Sequence, residues 1–81
     1  MKSQRLIKTD ELKVGGRAYA VRYFETETVR GTLRYSSELA LSPGDRIILD
    51  GSSLTEVESK VARLVAATIY SRVLAARGVA A

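Results

Sequence analysis

The chain has 81 residues, with thirteen lysines and arginines against nine aspartates and glutamates, and neither cysteine nor histidine. That composition excludes disulfides, thiolate metal sites and imidazole chemistry, and it leaves carboxylates as the only strong metal ligands. A single domain of this length buries only about 60–65% of its unfolded surface, so a partner subunit is a natural source of extra stability.

The net charge of +4 is unevenly placed. Residues 1–34 carry eight basic and four acidic side chains, whereas residues 35–81 carry five of each. Such asymmetry points to an anionic partner such as nucleic acid, or to a solvated sheet face rich in arginine. The N-terminal segment is basic but has no apolar run of signal-peptide length. The apolar C-terminal stretch is broken by Glu56, Glu58, Lys60, Arg63 and Arg72, so a membrane span is not expected. A cytoplasmic protein without cofactor or metal is the expectation.

In chain order, residues 4–26 read as a hairpin around Gly15-Gly16, which tolerate positive φ at both turn positions. Pairing Val14 with Arg17 sets Leu12 opposite Tyr19, Asp10 opposite Val21, Lys8 opposite Tyr23 and Leu6 opposite Glu25. One face then receives Leu6, Leu12, Val14, Tyr19, Val21 and Tyr23. The other receives Arg5, Ile7, Thr9, Glu11, Lys13, Ala18, Ala20, Arg22 and Phe24. A loop is placed near Thr28–Gly31. Thr32–Leu41 is the third strand, with Leu33, Tyr35, Ser37, Leu39 and Leu41 on one face. Pro43 and Gly44 suit the centre of a type II turn, and Arg46–Leu49 follows as a short strand.

The last element is the strongest. Ser53-Leu54-Thr55-Glu56 has the form of a capping box, in which the Glu56 carboxylate reaches back to the Ser53 amide. Arg72 and Arg77 suit the C-terminal end of a helix, and Gly78 suits its stop. A helix over Leu54–Arg77 would span about 36 Å, leaving Val79–Ala81 as a frayed tail. At 3.6 residues per turn, Leu54, Val57, Val61, Leu64, Val65 and Thr68 form the stripe expected against the sheet. From Leu64 onward the helix is apolar nearly all round, with Ala66, Ala67, Tyr70, Val73 and Leu74 on the side away from that stripe. A second copy of the chain would cover them most simply.

The fold expected is α+β: a single domain over residues 1–81, with a four-stranded antiparallel meander (about 4–50) and one long helix (about 53–77) covering one sheet face. The element order ββββα is similar, as topology alone, to the Whirly-type and coactivator-type single-stranded DNA-binding folds. No nucleophile–base pairing, phosphate loop or calcium loop is present, so an enzyme is not expected. Two readings of function follow. One is a small bacterial or phage-type homo-oligomeric interaction or assembly module, a homodimer most simply, acting through Ala66, Ala67, Tyr70, Val73 and Leu74. The alternative is a DNA- or RNA-binding protein whose open sheet face offers Arg5, Lys13, Arg22, Phe24, Arg30 and Arg34.

Overall fold

A computed structural model describes residues 3–76, without the side chains of Val73, Ala75 and Ala76. Four strands, β1 (Ser3–Val14), β2 (Arg17–Glu27), β3 (Leu33–Ser42) and β4 (Asp45–Gly51), form one antiparallel sheet in the order β1-β2-β3-β4. A C-terminal helix packs on one face of it. This helix comprises α1 (Leu54–Lys60), a π turn (Val61–Val65) and α2 (Ala66–Ala76). The architecture is the α+β meander-plus-helix, ββββα, expected from the sequence. Arg77, Gly78 and the tail Val79–Ala81 lie outside the described residues.

The hairpin register is as expected from Val14↔Arg17 to Lys8↔Tyr23. Gly15 and Gly16 supply the positive φ values, 59° and 80°, that a two-residue turn of this hand requires. Beyond Lys8 the expectation is corrected. A bulge at Ile7 slips the strand by one residue, so Leu6 pairs with Phe24 and Arg5 with Glu25. The slip exchanges the faces. Ile7 packs against the core, while Leu6 is 52% exposed. Arg5 leaves the open face and pairs with Glu25 (3.1 Å), on the helix side.

The core joins Val21, Tyr23, Leu39 and Ile47 of the sheet to Val57, Val61, Val65 and Ile69 of the helix. Burying four such helix side chains is worth about 6–12 kcal/mol of transfer free energy. The net stability typical of an 81-residue domain is similar, about 4–12 kcal/mol. Without the helix the sheet has no reason to stay folded.

The helical stripe differs from a 3.6-residue pattern. Its four core residues stand four apart, a spacing that overshoots an α-helical turn by about 40° at each step. The π turn, with its wider i→i+5 closure, holds more residues per turn and cancels that drift. Ile69 is therefore brought to the sheet and is 2% exposed, whereas Leu64 is turned away and is 46% exposed. Thr68 is half-buried and returns its hydroxyl to the Leu64 carbonyl (2.8 Å).

At the helix start, the Ser53 hydroxyl accepts from the Glu56 amide (3.1 Å), as a capping box requires. The reciprocal bond goes elsewhere. The Glu56 carboxylate takes the Ser52 hydroxyl (2.8 Å) and amide (3.4 Å), one residue before the position expected. It lies over Gly51, where a Cβ would stand 3.0 Å from the carboxyl group. Lys60 closes the corner by donating to the Asp50 carbonyl of β4 (2.7 Å).

Candidate functional site

Three surfaces are left after the helix has covered its sheet face. The first is the outward side of the helix. Ala67 and Tyr70 are exposed there, Tyr70 by 63%, and Ala66 and Leu74 are half-buried. These four are the sequence-derived interface residues whose side chains are described; that of Val73 lies outside the described set. Arg63 is also exposed and makes no ion pair among the described residues. Small alanines beside one projecting tyrosine form a surface that another helix can approach closely.

The second surface is the open sheet face. Strand alternation places Lys13, Arg22, Phe24 and Arg34 on it, together with Arg46, Glu11, Glu38 and Asp50. The charges are arranged in pairs. Glu38 receives both Arg22 and Arg46 (3.2 Å from the latter), Asp50 receives Arg34 (3.2 Å), and Glu11 lies 4.0 Å from Lys13. The Arg22 guanidinium also lies over the Phe24 ring, 5.7 Å from its centroid. Of the six candidate nucleic-acid contacts, four share this face. Arg5 lies on the helix side of the sheet, and Arg30 in the β2–β3 loop closed by Thr28 and Thr32. The sequence scan missed the exposed apolar side chains on the same face, Leu6 and Ile48.

The third surface is the tip of the β1–β2 hairpin. Pairing between β2 and β3 stops at Val21↔Leu39, so Arg17–Ala20 pair with β1 alone and the tip projects as a two-stranded ribbon. A shallow groove of about 390 Å³ crosses it, lined by Thr9, Asp10, Glu11, Ala18, Tyr19 and Ala20. The ionisable groups lining it are the Asp10 and Glu11 carboxylates and the Tyr19 phenol, and both carboxylates already have lysines, Lys8 at 3.1 Å from Asp10 and Lys13 at 4.0 Å from Glu11. α2 packs against β1, so the outward helical stripe and the ribbon lie at the same end of the molecule.

Electrostatic ties between helix and sheet are few. Lys8 holds Glu58 of α1 and Asp10 (3.1 Å), and its ammonium lies 5.0 Å from the Tyr23 ring centroid. Glu58 first and Asp10 second raise the Lys8 pKa above its ordinary value. Arg72 of α2 holds Asp45 at the start of β4. Burial pushes the Tyr23 phenol up, and the hydrogen bond to Glu25 (3.2 Å) does the same for Tyr35. All these groups have partners that explain them structurally. Among the described residues no cluster of three or more histidine, cysteine, aspartate or glutamate side chains could hold a metal ion, and no helix is long and apolar enough to cross a membrane.

Comparison of the chain with protein-family models, with curated proteins and with solved structures gave no match.

Proposed function

We propose that the chain is a small non-enzymatic assembly module that binds a second copy of itself through the outward side of its helix. The observation that carries this reading is Tyr70, an aromatic side chain 63% exposed on a helix whose opposite side is fully engaged with the sheet. Ala66, Ala67 and Leu74 continue the apolar surface around it. A two-fold axis would pair this stripe with itself, which needs no second partner species. The ion-paired open face supports the assembly reading over nucleic-acid contact, because its arginines already have carboxylates to satisfy them.

Sedimentation velocity over a micromolar concentration series tests the proposal. The wild-type chain is expected to sediment as a dimer, and Tyr70→Glu as a monomer with an unchanged far-UV circular dichroism spectrum. A wild-type chain that stays monomeric at tens of micromolar overturns it.

A further inference from the structure

The free edge of β1 presents backbone groups in a pattern that suits one occupant. In a two-residue hairpin the pair flanking the turn exchanges both of its backbone hydrogen bonds, and pairs then alternate along the ladder. Val14, Leu12, Asp10 and Lys8 therefore bond to β2, while Lys13, Glu11 and Thr9 turn their amides and carbonyls outward from the sheet. The lower half of this edge is blunted by the bulge at Ile7 and by Lys8. On the opposite edge, Lys60 occupies the Asp50 carbonyl of β4. The stretch Asp10–Val14 has no bulge, the charge of its Lys13 is met by Glu11 (4.0 Å), and no described strand pairs with its outer side.

We propose that Asp10–Val14 pairs antiparallel with the same stretch of a second copy, about a two-fold axis at Leu12, joining two sheets edge to edge. This rests on the self-assembly reading above and specifies how the second copy docks. Charge selects the register. A two-fold perpendicular to the sheet sets residues of one face opposite each other, so the axis passes through a single residue. Centres at Lys8, Asp10, Glu11 or Lys13 set like charges directly opposite, which is unfavourable. A centre at Thr9 meets the Ile7 bulge within two residues. The centre at Leu12 sets Glu11 opposite the partner's Lys13, and Lys13 opposite the partner's Glu11, at positions whose backbone groups all point outward. Leu12 then meets its own copy, and Asp10 meets the partner's Val14. Both helices lie on the same side of the joined sheet, and because α2 packs on β1, both flank the joint.

Charge reversal and mixing test this pairing. Glu11→Lys and Lys13→Glu each place like charges opposite in a homodimer. Each is expected to raise the dimer Kd about tenfold or more. Mixing the two variants restores opposite charges at both positions, so the heterodimer should regain wild-type affinity in sedimentation. Both sites are exposed, and circular dichroism checks that each variant folds. Hydrogen exchange supplies a second readout: the amides of Glu11 and Lys13 should slow as concentration rises, while those of Asp10 and Leu12 stay protected throughout. Single variants that dimerise like wild type, or Glu11 and Lys13 amides that exchange fast at every concentration, overturn the edge pairing. If Tyr70→Glu still dimerises while Glu11→Lys does not, the helical reading falls and the edge stands.

Discussion

The π turn makes a quantitative prediction about residue count. From Val57 to Ile69 the helix spends twelve residues on three turns while keeping both ends on the sheet. Eleven residues over three turns, about 3.67 per turn, would do this as plain α-helix. Deleting Ala62, an exposed residue inside the π turn, should therefore leave Val57, Val61, Val65 and Ile69 all facing the core. The expected stability is within about 1 kcal/mol of wild type, because no buried contact is lost. Deleting exposed Ala67, outside the π turn, rotates everything after it by about 100°. Ile69 then leaves the core, at a cost of about 2–5 kcal/mol, a large part of a net stability of about 4–12 kcal/mol. Urea unfolding followed by circular dichroism at 222 nm separates the two deletions. If removing Ala62 costs as much as removing Ala67, the account of the π turn as an absorbed extra residue is refuted.

Two further predictions concern charge. The Ser52 hydroxyl and amide, followed by Lys60, hold the Glu56 carboxyl below its ordinary pKa. A group lowered in the folded state stabilises fully above its unfolded value, about 4.3, and loses that contribution as pH falls through the folded value. Glu56→Gln should therefore melt lower than wild type at pH 7, with the gap closing below about pH 4; a gap independent of pH would show that the carboxylate charge is not what caps the helix. For the open sheet face, fluorescence anisotropy with labelled single-stranded DNA should show weak binding whose salt slope corresponds to only about one or two phosphates. A steep slope that Arg22→Ala with Arg34→Ala abolishes would favour nucleic-acid binding over assembly.

The sheet was legible wherever glycine or alternation fixed it. Gly15-Gly16 set the hairpin register for seven pairs, from Val14↔Arg17 to Lys8↔Tyr23. The bulge was not legible, because Leu6 and Ile7 are adjacent apolar residues and either can face the core. The helix phase was misread for a related reason: a fixed 3.6-residue period favours Leu64 and passes over Ile69. The signal lay in the strict four-residue spacing of Val57, Val61, Val65 and Ile69, which no uniform α-helix can keep on one side. On the open face, pairing of Arg22 with Glu38 and of Arg34 with Asp50 depends on the β2–β3 and β3–β4 registers, which no glycine pair fixes in the sequence. The Ser52 contact depends on where the Glu56 side chain folds back, and two adjacent serines leave that choice to three dimensions.

Every strand of the sheet pairs with its neighbour in sequence. Such a ladder has low contact order, and its hairpins can zip in succession with little loop-closure cost. The longest-range closure is the return of the helix over β1, fixed by Lys8 with Glu58 and by α2 on the hairpin. Because the sheet needs the helix to stay folded, completion of the sheet and docking of the helix should come together, and the rate of folding should be governed by how soon the helix closes over β1.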